Sequence, residues 1–330
     1  MKIALITPAA ARSRSGNLHT AARWSAMLRS LGHSVRVSRV WDGRPADAMI
    51  ALHARRSHAS IRAFRERRPG APLAVVLTGT DLYRDIRTDH DARASLELSD
   101  RLVVLQNMGR KQLPPRLRRK TRVIYQSAVS PDARRASGFR VAVLGHLREE
   151  KDPFRAALAL AHLEDLPELE VVHLGEPLSA GMTREARRLM RRDARYRWLG
   201  NVPHAAALQW LAGSRLLVLS SRMEGGANVI CEAAVAGVPV IASRVPGNVG
   251  MLGRGYPGYY RLGDERALAR QLRRAARDPS YYARLERLTR ARRPLFLPAS
   301  EREGLRRLMA ELARLQPRSS SSRTGAKLRR

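Results

Sequence analysis

Cysteine is almost missing: Cys231 is the only one in 330 residues. No intrachain disulfide can form, and the cytoplasm is the expected compartment. No cysteine and histidine cluster with metal-ligand spacing occurs either, and neither does a serine nucleophile elbow, so no metal or other cofactor is expected. Aromatic residues are only 5% of the chain, and no RNP-like, zinc-finger or other nucleic-acid motif accompanies them. Specific nucleic-acid recognition is therefore not expected. No segment combines the length and apolarity of a membrane span. The opening MKIALITPAAARS superficially resembles a signal peptide, but its apolar run is short and broken by Pro8, so it reads as a first strand. Acidic residues are scarce as well, 29 Asp and Glu against 62 Lys and Arg, for a net charge of +33. Lysine contributes only Lys2, Lys111, Lys120, Lys151 and Lys327. The arginines are spread over most predicted helices, as a general arginine bias would spread them, and non-specific polyanion binding at low salt is expected.

What is present is an alternation of strands and helices. At 330 residues the chain has length for two domains of about 150 residues, each able to bury a core. Strands are predicted at Lys2–Thr7, Ser34–Val40, Ala48–Ala51, Leu73–Leu77, Arg101–Leu105 and Thr121–Ile124, separated by helices near Asn17–Leu31, Ser57–Arg67 and Asp91–Leu98. After the loop Ser127–Gly138 the pattern restarts, with strands at Arg140–Leu144, Glu170–Leu174, Trp198–Leu199, Arg215–Ser220 and Val238–Ala242. Such alternation means mostly parallel sheets covered on both faces, with ligands at the carboxyl ends of strands. A basic helical stretch over Asp264–Arg292 and a last helix over Ser300–Leu315 follow. Residues 317–330, PRSSSSRTGAKLRR, lack apolar periodicity and read as disordered.

The most informative stretch is SSRMEGGANVICEAAVAGVPVIAS, residues 220–243. A buried strand leads into it, Glu224 sits in the turn, and a helix over Asn228–Ala236 carries Glu232 about one turn in. Gly225 and Gly226 permit close backbone approach, and the free N–H groups near Ala227, Asn228 and Val229 suit an anion. Read without wider context, Glu224 could cap the helix and Glu232 face solvent. The whole phrase, two glutamates with seven residues between them before AGVPVIAS, resembles the nucleotide-sugar site of GT-B glycosyltransferases of the family 4 kind.

That resemblance implies an α/β fold of two doubly wound Rossmann-like domains facing each other across a cleft. The expected division is an acceptor domain over 1–135, a UDP-sugar domain over 136–293, a crossover helix over 294–316 that packs back on the first domain, and the tail 317–330. It also implies that Glu224 contacts the donor sugar and that Glu232 grips the ribose hydroxyls. GHLREEKDPF, residues 145–154, matches the family's phosphate-binding turn, with Lys151 at the lysine position. His146 stands where the family usually has arginine, a weaker phosphate partner, and Arg148 either restores the charge or is an exposed turn residue. YRWLGNVP, residues 196–203, resembles the base-reading loop, which implicates Arg197 and Leu199, although Trp198 equally suits a core. On the acceptor side the candidates are Arg14, Gly16 and Asn17 in the first turn, then His53, Arg55 and Arg56 in LHARRSHAS. TGTDLY adds Thr80 and Asp81 near the scissile bond. Asp89 and Asp91 open a helix, where acidic residues favour the dipole, and are not read as metal ligands.

The phrases MKIALITPA, IALHARRS, VVLTGTDLYRDI, GHLREEKDPFRAA, EGGANVICEA and VPGNVGMLG together resemble the selenosugar synthases of selenoneine biosynthesis. The likeness covers most of residues 1–290. It implies a UDP-hexose donor such as UDP-N-acetylglucosamine, selenophosphate as nucleophile, and a 1-seleno-β-sugar, UDP and phosphate as products. Two other readings stay open: a family 4 enzyme that glycosylates a hydroxyl of a saccharide or lipid, and a nonenzymatic basic binding protein with a GT-B shape.

Overall fold

The computed structural model describes residues 1–8, 16–131, 133 and 136–316. Arg14 and the tail 317–330 lie outside these residues. The first half runs β1 (Lys2–Ile6), α1 (Gly16–Ser30), β2 (Ser34–Ser38), β3 (Ala48–Leu52), α2 (His58–Arg67), β4 (Leu73–Leu77), α3 (Ile86–Thr88), α4 (His90–Leu98), β5 (Arg101–Val104), α5 (Pro115–Arg118) and β6 (Thr121–Val123). The second half runs β7 (Phe139–Leu144), α6 (Arg155–Ala159), β8 (Leu169–Leu174), α7 (Ala180–Arg192), β9 (Tyr196–Trp198), α8 (His204–Ala212), β10 (Leu216–Leu219), α9 (Asn228–Ala236), β11 (Val240–Ser243), α10 (Pro246–Leu252), β12 (Tyr259–Tyr260), α11 (Glu265–Arg277) and α12 (Pro279–Arg290). A last helix, α13 (Pro298–Arg314), closes the described chain.

Two six-stranded sheets result, ordered β2-β1-β3-β4-β5-β6 and β12-β11-β10-β7-β8-β9. Every recorded strand pairing is parallel. The central strands β3 and β4 are buried along their whole length, which explains their uninterrupted apolar runs: a sheet covered on both faces has no solvent side to mark with polar residues. One face of the first sheet packs on Phe64, Trp41 and Leu96. The other packs on Trp24 and Leu28 of α1 together with Leu305, Leu308, Met309 and Leu312 of α13. The chain thus returns to the first sheet after completing the second, and Glu311 of α13 pairs there with Arg101 and Arg122. The second sheet has its own core, in which Cys231, Ile230, Ala233 and Ala234 of α9 are fully buried.

The expected helical stretch Asp264–Arg292 consists of two helices. Pro279 has no N–H to continue the ladder, and the Asp278 carboxylate accepts from the Tyr281 amide at 2.9 Å to start a new helix. Strand β9 begins at Tyr196, two residues before the expected strand, and α10, β12 and a wide helical turn at Asp81–Asp85 were not expected. By contrast α9 has the expected bounds, because Gly237 adopts φ 71°, the left-handed conformation that ends a helix.

Candidate active site

The carboxyl ends of both sheets face one cavity of about 820 Å³. Strand ends deliver most of its wall: His53 follows β3, Thr78 follows β4, Gly145 follows β7, and the Glu224 turn follows β10. The two halves touch closely beside it. A Cβ built on Gly225 would lie 2.3 Å from the Thr78 carbonyl oxygen and 2.7 Å from the Gly79 nitrogen. Gly225 is therefore required by the contact between halves, whereas the sequence suggested only room for a ligand.

On the second-half wall, Glu224 is buried, and its Oε1 accepts from Lys151 Nζ at 2.5 Å. Lys151 reaches it because the turn after β7 is wound tightly, with Asp152 at φ 44° and held by Arg155 Nε at 2.9 Å. Arg148 also lines the cavity, and its Nε is buried without a protein partner. An anion placed there would satisfy it. Glu232 lies one turn into α9, and its Oε1 is 2.9 Å from His204 Nε2. That hydrogen bond to Glu232 raises the His204 pKa. Across the cleft, His19 of α1 stands 5.3 Å from His204, ring centre to ring centre. Burial, then the charge of His204, lowers the His19 pKa. Gly226, Ala227, Asn228 and Val229 line the cavity as expected, as does His146, whose Nδ1 accepts from the Glu176 amide at 3.3 Å.

On the first-half wall, Gly16, Asn17, His53, Arg56 and Thr80 all reach the cavity. His53 is 2% exposed and has φ 72°, a left-handed conformation that costs a non-glycine residue energy. Its Nδ1 accepts from the Arg56 amide at 3.3 Å, which leaves Nε2 to donate to Thr80 Oγ1 at 3.0 Å.

Four expected contacts are corrected. Asp81 does not line the cavity: it is fully buried, and its oxygens accept from the backbone amides of Thr78, Gly79 and Ala54 at 2.9, 2.9 and 3.0 Å. It braces the turn that carries Thr80 and is not placed to touch a substrate. Arg55 faces away and pairs with Asp89 at 3.0 Å, while its neighbour Arg56 faces inward. Arg197 and Leu199 are also outside the wall. β9 is an edge strand whose alternation turns Arg197 toward Glu170, 3.6 Å away, and the Leu199 amide is spent on the His173 carbonyl. Asn201 and Val202, just beyond, line the cavity instead. Arg14 falls outside the described residues. Asp89 caps α4 by accepting from the Ala92 amide at 2.8 Å. Among the described residues, no group of three or more His, Cys, Asp or Glu could hold a metal ion, and no helix is long and apolar enough to cross a membrane.

Sequence reasoning missed His19, Arg23, Gln126 and His204. The first two were within reach: Gly16, His19, Thr20 and Arg23 recur at helical spacing and form the face of α1 that lines the cavity. With its amide oriented to satisfy its neighbours, Gln126 accepts from Thr20 and Arg23 and donates to Gly226 O at 2.9 Å and Asn228 Oδ1 at 3.1 Å. It thereby joins the two walls.

Two facing doubly wound halves with the acidic, cation-lined site at their strand ends constitute the GT-B fold. Residues 131–292, just under half of the chain, match the family described as Glycosyl transferases group 1. The fold is similar to that of HepE from Anabaena, solved with UDP and glucose, at TM-score 0.75 and 15% identity over 94% of this chain and 100% of that one. It is similar also to a sucrose-phosphate synthase from Thermosynechococcus elongatus, at TM-score 0.75 and 17% identity over 95% and 99% of the two chains. A glycosyltransferase from Rickettsia africae matches at TM-score 0.70 and 12% identity over 96% and 99%.

Proposed function

We propose that the protein transfers N-acetylglucosamine, or a related hexose, from a UDP-sugar to selenophosphate, giving a 1-seleno-β-sugar, UDP and phosphate. The observation that carries this reading is the charge plan of the cavity: carboxylates and cations share the second-half wall, and cations line the first-half wall opposite. On the second-half wall Lys151 and Arg148 flank Glu224, and the amides at the start of α9 face the same space. That set suits a diphosphate with a sugar on one side and a ribose at Glu232 on the other. HepE, similar in fold, has been solved with UDP.

The opposite wall offers Arg56, His19 and His53, which favours a small anionic acceptor over a lipid. Selenophosphate needs little activation, because its selenium is already anionic and highly nucleophilic. Selenium attacks the anomeric carbon as the C–O bond to UDP breaks, and water then takes the phosphoryl group from selenium. Glu224 orients the sugar hydroxyls, and Lys151 and Arg148 neutralise the departing diphosphate, whose charge grows in an oxocarbenium-like transition state. Lys151 and Glu224 pair with each other, so donor binding exchanges this pair for contacts to phosphate and sugar.

One observation favours a second reading. Thr80, whose Oγ1 pairs with His53 Nε2 at 3.0 Å, lines the cavity, a polar group able to hydrogen-bond a neutral hydroxyl acceptor. Measuring UDP release from UDP-N-acetylglucosamine, with and without selenophosphate, separates the two. Selenophosphate-dependent UDP together with a selenium-bearing sugar by mass spectrometry is expected, and Glu232→Ala abolishes both. Release that needs a hydroxyl acceptor sinks the selenosugar reading and leaves the glycosyltransferase. No release with any acceptor favours a binding protein.

A further inference from the structure

We infer that Arg23, on the first half of the molecule, is a ligand for the phosphates of the nucleotide-sugar, held in place by Glu301 of α13 and by Gln126. The inference rests on the donor-site reading above and adds a residue from the opposite wall to it.

Arg23 lines the cavity across from Gly226, Asn228 and Glu232. Gln126, which bonds Arg23 Nη2 on one side and Gly226 O and Asn228 Oδ1 on the other, places the guanidinium beside the start of α9. Arg23 Nε donates to Glu301 Oε2 at 2.7 Å. Glu301 is 1% exposed and accepts three further hydrogen bonds, from Trp24 Nε1 at 2.7 Å, from the Ser127 amide at 2.8 Å and from Ser127 Oγ. Those three donors already satisfy the buried carboxylate and tie α1, the linker after β6 and the return helix together. The guanidinium is also the counter-charge of this buried carboxylate, which it meets through Nε. What it adds to the cavity is a cation fixed at one edge by Glu301 and steadied by the Gln126 oxygen, 3.2 Å from Nη2. A planar guanidinium held along its Nε edge is pre-organised for an oxyanion and loses little freedom on binding one. Gln126 meanwhile bonds the turn residues Gly226 and Asn228, so the same linker sets Arg23 and the start of α9 relative to each other. Phosphate bound between Arg23 on one wall and Lys151 and Arg148 on the other draws the two halves onto the ligand.

Calorimetry of the full chain with UDP, UMP and uridine tests this, with melting curves as the control for folding. Arg23→Gln is expected to weaken UDP binding about 10- to 100-fold, the scale of a lost charge-assisted hydrogen bond, and to leave uridine binding as it was. Glu301→Gln, which keeps an acceptor but releases the cation, is expected to weaken UDP by a smaller factor and again spare uridine. Should Arg23→Gln melt well below wild type, Arg23→Lys serves in its place, and intermediate UDP affinity is expected from a charge without a fork. Wild-type UDP affinity in the Arg23 variants, or equal losses for UDP and uridine, overturns the inference and leaves the donor site standing. If wild-type protein binds neither UDP nor uridine, the donor-site reading itself falls, and this inference with it.

Discussion

Gly225→Ala tests whether the contact between the halves sets the geometry of the site. The new Cβ would lie 2.3 Å from Thr78 O, 2.4 Å from Thr78 C and 2.7 Å from Gly79 N, where real Cβ contacts stay above 3.0 Å. All three atoms are backbone, so no side chain can swing aside. Thr78 and Gly79 are held in turn by the buried Asp81 carboxylate. The two turns must therefore separate by at least about 0.7 Å, carrying Glu224 away from the opposite wall. A misplacement of that size near reacting groups costs on the order of 10- to 100-fold in rate. The assay is steady-state UDP release from the hexose donor, with small-angle scattering to detect separation of the halves. Gly138→Ala is the control, since its Cβ would have 3.7 Å of clearance from the Glu168 carbonyl. If kcat/KM of Gly225→Ala stays within twofold of wild type, the contact does not position Glu224 and the reasoning is wrong.

Lys151→Ala should weaken UDP binding about 10- to 100-fold, because both the phosphate cation and the Glu224 partner are lost; unchanged calorimetric affinity would remove Lys151 from the donor site. Asp81→Asn should cost about 2–4 kcal/mol of stability in chemical denaturation, since three backbone donors lose a full carboxylate and one of them faces an NH2 group. Its activity, measured well below the melting temperature, should fall far less than that of Glu232→Ala; a large loss in a fully folded Asp81→Asn protein would restore Asp81 to direct chemistry. Glu232→Gln should destabilise the protein in a pH-dependent way. His204 has its folded pKa raised by Glu232, so the stabilisation is fully present below the unfolded value of about 6.5 and fades as pH rises through the folded one. Melting curves should therefore separate the variant from wild type at pH 6 and bring them together at pH 9; a pH-independent difference would contradict the pairing.

How much of this was legible depended on whether a feature was local. The apolar runs at β3, β4 and β10 and the Asn228–Ala236 helix were readable because burial and a left-handed Gly237 leave marks within a few residues. The positions of Glu224 and Glu232 on the cavity wall were readable for the same reason: a strand end and a helix start bracket them. The sequence could locate Thr80–Asp81 and Arg55–Arg56 after strands, but not which neighbour faces the cavity, since that is decided by the Asp81 hydrogen bond to the Ala54 amide and the Arg55 ion pairs with Asp85 and Asp89. Arg197 was misread because its loop resembles a ligand-reading segment while the strand alternation turns it away. Arg23 and Glu301 are 278 positions apart, and no local pattern announces a partner at that distance.

The buried position of Cys231 has a practical consequence. Burial raises its pKa well above the ordinary thiol value, so it is a poor nucleophile and can stay in place during labelling. Cysteines introduced at Val40 and Leu178, which are 65% and 60% exposed on opposite halves, would be the reactive pair. A donor and an acceptor dye on these two sites would turn the approach of the halves into an optical signal, followed in real time as ligand is mixed in.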